Sequence, residues 1–116
     1  MTTTLEILCA VLAVPFLGLG LAKVLAVASM RERAAEVNFS ANAYRAIGTA
    51  EVAAAVALLS ARWFPRLAIL ALAGLALLLI GAAGTHIRQG DGLAKAMPAL
   101  VLLVVVCSVG MWAYAS

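Results

Sequence analysis

Residues 67–86 read LAILALAGLALLLIGAAGTH, with no Asp, Glu, Lys or Arg between Arg66 and Arg88. At about 1.5 Å of rise per residue, such a run makes a helix about as long as a bilayer's hydrocarbon core is thick. Leu, Ile and Ala cover all its sides, so it has no polar face for water. Pro65 precedes it where the first turn of a helix tolerates proline. The stretch predicts a membrane-spanning helix.

Three more runs of similar length surround it. One extends over 5–27, interrupted by Pro15, Gly18, Gly20 and Lys23; another covers 43–61; the last covers 98–114, with Pro98 in its first turn. The prediction is an all-α fold, a four-helix transmembrane bundle running up-down-up-down as one domain over 1–116. Between the first two helices, Arg31, Glu32, Arg33, Glu36, Asn38 and Asn42 stand around apolar Ala34, Ala35, Val37 and Phe39. That segment is too polar to span, and it predicts an amphipathic turn or two at the interface. Arg62-Trp63-Phe64-Pro65-Arg66 is a tight hairpin, Arg88-Gln89-Gly90-Asp91-Gly92 is a turn, and Trp112 and Tyr114 form an aromatic belt.

Composition agrees. Of 116 residues, 66% are hydrophobic and 11% charged, against about 45–50% and about 25% in soluble domains. So short a chain would expose most of that excess in water. Soluble globular enzymes, disordered chains, collagens and disulfide frameworks are thereby excluded. The net charge of +3 comes without a Lys/Arg cluster or an aromatic ladder, which argues against nucleic-acid binding. Arg31, Arg33, Arg88 and Lys95 share one side, with Arg45 at its boundary, against Arg62 and Arg66 on the other. The positive-inside rule then predicts a multi-pass cell-membrane protein with both termini outside. Glu6 stands where a signal peptide would be basic, so the first helix reads as retained.

Small residues share faces: Phe16, Gly20 and Lys23; Tyr44, Gly48, Glu51 and Ala55; Gly74 and Gly81. Membrane helices approach through such faces, so these should point inward while Leu, Val and Ile meet lipid.

Ionisable side chains inside spans cost about 2.5–3.5 kcal/mol each at mid-helix. Lys23, Arg45, Glu51 and His86 need explaining, and all fall in the same half of the bilayer. Glu51 is deepest, about 12 Å in by helical rise, with Lys23 about 6 Å in. Arg45 is six residues from Glu51, about 120° away around the helix, so Lys23 is the better partner. A packing ion pair explains these residues in one way, and a proton-handling or ligand-anchoring group in another. His86 suits a general base, a quinone hydrogen-bond donor or an axial haem ligand, or simply a cap for terminal carbonyls. Haem is disfavoured without a second histidine, and no metal-ligand spacing is present. Cys9 and Cys107 are expected to be buried packing thiols. A bridge between them is geometrically allowed but not demanded, and no Cys-x-x-Cys suggests thiol exchange.

The order of motifs resembles the DoxX-like family of small four-helix integral membrane proteins. Gly20-x-x-Lys23 ends the first helix, and Tyr44-Arg45-Ala46-Ile47-Gly48-x-x-Glu51 opens the second. Gly81-Ala82-Ala83-Gly84-Thr85-His86 ends the third, followed by Gly90-Asp91 and Pro98. The resemblance covers almost the whole chain and implies a four-helix transmembrane bundle. It also brings an association of some relatives with quinone-linked sulfur oxidation or membrane oxidoreductase complexes.

Three functions fit the residues. One is an accessory subunit that binds a quinone- or isoprenoid-like lipophile, its head held by Lys23, Tyr44, Arg45, Glu51 and His86, for a membrane or peripheral oxidoreductase or a biosynthetic system. The second is a cofactor-free acid–base enzyme on a hydrophobic substrate, an isomerase, cyclase or epoxide-opening catalyst, with Glu51 and His86 as acid and base. The third is a purely structural membrane module. No covalent cofactor is expected, quinone is the candidate non-covalent one, and a homo-oligomer is compatible with all three.

Overall fold

The computed structural model describes residues 1–36, 39–90 and 92–116. The described residues form helices and no strand: α1 (Thr3–Val24), α2 (Ala28–Glu36), α3 (Ala41–Leu59), α4 (Pro65–Arg88) and α5 (Gly92–Ala115). Thr2 Oγ1 accepts from Leu5 N–H at 3.3 Å and Ser40 Oγ from Ala43 N–H at 3.0 Å, which caps α1 and α3. Pro65 opens α4 at a position where its missing N–H has no helical partner.

Among the described residues, three helices are long and apolar enough to cross a membrane: Thr3–Val24, Pro65–Arg88 and Leu93–Ala115. Arg45, Glu51 and Asn42 make α3 more polar than these. The polar segment after α1 forms the separate helix α2, which buries Met30 and Ala34 and exposes its charges. Residues 37 and 38 of that segment, and Asp91 of the later turn, lie outside the described residues.

Two helix ends differ from expectation. α1 stops at Val24 instead of residue 27, because its last carbonyls are closed by a Schellman turn. Ala26 N–H donates to Lys23 O at 3.1 Å and Val27 N–H to Ala22 O at 3.2 Å. Ala26 takes φ 51°, the left-handed conformation that usually calls for glycine. α5 begins at Gly92, not at Pro98, which sits inside the helix. The left-handed Gly90 completes the turn early, and Leu93–Met97 are residues that favour helix.

α1 and α3 run antiparallel: Gly20 lies against Val52 while Gly48 lies against Val24. α4 packs on α3, and α5 on α4, with slighter contact between α1 and α5. One half of the assembly is filled by Leu5, Cys9, Leu12, Leu58, Leu72 and Val106. Val11, Val14, Leu70, Ile80, Val104 and Met111 face outward, the surface that lipid would cover.

The small-residue faces divide. Gly20 and Gly48 are buried at the α1–α3 crossing. Gly74 and Gly81 do not pack inward as expected: both are exposed, and a Cβ added at either meets nothing within 4 Å. The α3–α4 and α4–α5 contacts use larger side chains on α4, so neither glycine is a point of close helix approach, and Gly81 borders the open cavity described below. Cys9 and Cys107 are free thiols; Cys9 is buried, whereas Cys107 is exposed on α5, contrary to its expected burial.

Candidate functional site

The other half of the assembly holds a cavity of about 250 Å³ between α1, α3 and the C-terminal half of α4. Its polar groups come from Lys23, Tyr44, Glu51, Thr85 and His86. Phe16, Ile47, Leu77, Leu78 and Leu79 supply apolar wall, and Phe39 adds a ring from the connection before α3. α5 contributes none of these residues.

The depth of the acid follows from the close crossing of α1 and α3. Glycine at 20 and 48 lets the two backbones touch, and that brings the Lys23 stem beside Gly48. From there Lys23 Nζ reaches Glu51 Oε1 at 2.5 Å. Glu51 is 5% exposed, the one charged residue buried in the described core. A buried carboxylate without a cation would be costly, and this partner neutralises it. The same ammonium lies 5.3 Å from the Tyr44 ring centroid, within cation–π range. Phe39 packs edge-on against Tyr44, with centroids 6.1 Å apart at 82°.

Of the five residues singled out from sequence, Lys23, Tyr44, Glu51 and His86 line this cavity together. Arg45 does not. It is exposed, and its guanidinium donates to Asn42 Oδ1 at 3.2 Å on the outer face of α3. Thr85 is committed through its proton, donating to Gly81 O at 2.8 Å, which leaves its oxygen as an acceptor. Phe39 was legible only as an apolar residue in a polar loop; its place over the cavity depends on how that loop returns to α3. No group of three or more His, Cys, Asp or Glu side chains gathers as a metal site among the described residues.

A family comparison covers these antiparallel apolar helices and the Lys–Glu pair between them. The model of the DoxX-like family matches residues 7–108. The chain belongs to the DoxX-like family. It is a membrane protein of that family with apolar helices, and the match spans both the close crossing and every residue that lines the cavity. No curated protein and no solved structure matches the chain.

Proposed function

We propose that this DoxX-like protein is a four-crossing membrane module that holds the head of a lipophilic, quinone- or isoprenoid-like ligand in the α1–α3–α4 cavity. In this reading α3 is the fourth crossing. Support comes from its antiparallel backbone contact with α1 and from the burial of Glu51 toward the interior. The cell membrane is the proposed site, with Arg31, Arg33, Arg88 and Lys95 cytoplasmic and both termini outside.

The observation that carries the ligand reading is the composition of the cavity: a few convergent polar groups set in an apolar wall, the usual form of a small-molecule site. At about 250 Å³ it is smaller than most drug-sized sites. It therefore suits a headgroup, whose tail would lie in the bilayer. Lys23, Tyr44, Glu51 and His86 anchor that head, and the protein serves a membrane oxidoreductase as an accessory subunit. Solvent extracts of the purified protein should yield a quinone or isoprenoid lipid by mass spectrometry, and added quinone should raise Tm. An empty extract together with an unmoved Tm overturns the reading.

A second reading is favoured by one observation. The Lys23–Glu51 pair sits beside the Gly20–Gly48 contact, where it also fixes the register of two helices. A purely structural module predicts that Lys23→Met and Glu51→Gln each destabilise the protein, that the double replacement recovers stability, and that no lipophile shifts Tm in any form.

A further inference from the structure

We infer that the hydrocarbon tail of the ligand is seated on the protein, in an apolar groove of about 320 Å³ that continues the cavity along the α3–α4 seam. The inference rests on the ligand-binding reading above and extends it from the head to the chain behind it.

Helical register makes the two spaces one cleft. On α3, Tyr44, Ile47 and Glu51 line the cavity, and Ala54 and Ala57 line the groove. These positions step by three or four residues, so they share one helical face. The facing side of α4 steps in the same way. Thr85, Ala82 and Leu78 line the cavity, and Leu78, Gly74, Ala71 and Leu67 line the groove. Leu78 borders both.

Polarity gives the cleft a direction. The side chains of Lys23, Tyr44, Glu51, Thr85 and His86 belong to the cavity, whereas every residue lining the groove is Ala, Leu or Gly. A head drawn to the polar part leaves its chain at Leu78, where the groove begins. From Leu78 to Leu67 the groove follows α4 for about 16 Å of helical rise. That is roughly half the thickness of a bilayer's hydrocarbon core.

Short walls keep the groove open. Ala50, Ala53 and Ala54 stand opposite Ala71 and Gly74, and a Cβ added at Gly74 meets nothing within 4 Å. Atoms lining such a gap forgo dispersion contacts that a chain lying in it would supply. Ala53 and Gly74 are exposed, so the groove also faces the acyl chains of the bilayer. Tethering decides between the occupants: a tail whose head is already held in the adjoining cavity is present at the groove at high effective concentration.

The test uses the full chain purified in detergent and two photoreactive probes. One is a ubiquinone analogue with a diazirine on a ten-carbon tail; the other is a phosphatidylcholine with a diazirine on an acyl chain. Labelled positions are read by peptide mass spectrometry after illumination. The quinone probe should label residues 50–57 and 67–75 at least about tenfold more than Val11, Val14, Val101 and Val104, because its tail is tethered. Excess decylubiquinone should remove that label. The phosphatidylcholine should label all the outward faces and resist displacement. Gly74→Leu fills the groove and should lower the displaceable label at least about threefold. If that variant does not fold, the label pattern in the unaltered protein decides alone. Displaceable label concentrated on α1 or α5, or undiminished in Gly74→Leu, overturns the groove and leaves the ligand reading standing. A groove unlabelled by either probe in a protein that sediments as a dimer means that a second copy covers it, and overturns the inference likewise. A quinone label spread like that of the phosphatidylcholine, and not displaced, overturns both the groove and the ligand reading beneath it.

Discussion

Along α1 and α3 the backbones meet at Gly20 and Gly48, and a Lys–Glu pair follows directly beyond the contact. Between α4 and α5 the corresponding glycine, Gly110, faces the Leu72 side chain and not a backbone. Leu72, Leu75, Val106, Val109 and Ala113 fill that seam, and Gly110 leaves ordinary room beside Leu72. The two seams join antiparallel helices by different physics. In lipid, apolar side chains gain little from each other that the acyl chains do not also offer. The α4–α5 seam therefore depends on shape. The α1–α3 seam adds a buried charge pair that is satisfied in one register only, and the cavity lies beside that specified seam.

The strongest way to break the contrast is Gly48→Leu. A Cβ there would lie 2.6 Å from both Gly20 O and Lys23 Cβ, and the backbone on one side cannot move without separating the helices. Loss should exceed the ~3 kcal/mol typical of overpacking, seen as failure to recover a cooperatively melting protein. Recovery of a normal melt would show that the close crossing is dispensable.

Next comes the pair. Lys23→Met alone or Glu51→Gln alone should each cost about 3–5 kcal/mol by stranding or unbalancing a buried polar group, while the double replacement should regain most of it. Denaturant unfolding in micelles, arranged as a double-mutant cycle, measures the coupling. Additive losses would mean that the two residues act independently.

On the other seam, Leu72→Ala should cost about 2–3 kcal/mol, as a cavity in a packed interior does, and it should leave the Tm shift given by added quinone unchanged. A binding defect would tie the two halves of the molecule together and erase the distinction drawn between them. The smallest effect belongs to Gly74→Ala on the exposed face of α4, where an added methyl meets nothing. Stability should rise by up to about 1 kcal/mol from helix propensity, read as a small increase in Tm. A marked loss would reveal a partner on that face.

Much of this was legible from residue order. The run at 67–86 specifies a helix because its apolar residues leave no polar face, and Lys23 is the natural partner for Glu51 because Arg45 points elsewhere around the same helix. Gly20 and Gly74 look alike as small residues in apolar runs, yet one is a contact and the other faces outward. Nothing local distinguishes them. The difference depends on how closely α4 approaches α3 and α5. The early end of α1 was hidden for another reason: the Schellman turn places Ala26, not glycine, in the left-handed position.

By itself, then, the sequence determined an apolar helical membrane protein of DoxX-like character and the few polar residues that need a reason to be inside it. Composition and periodicity suffice for that, since the bilayer penalises every unpaired charge and every polar face. Only the tertiary structure decided that Lys23, Tyr44, Glu51 and His86 share one cavity, that Phe39 joins them and that Arg45 does not. Those outcomes turn on helix rotation and on the separation of backbones. Both are set by contacts between residues far apart in the chain, with no trace in local spacing.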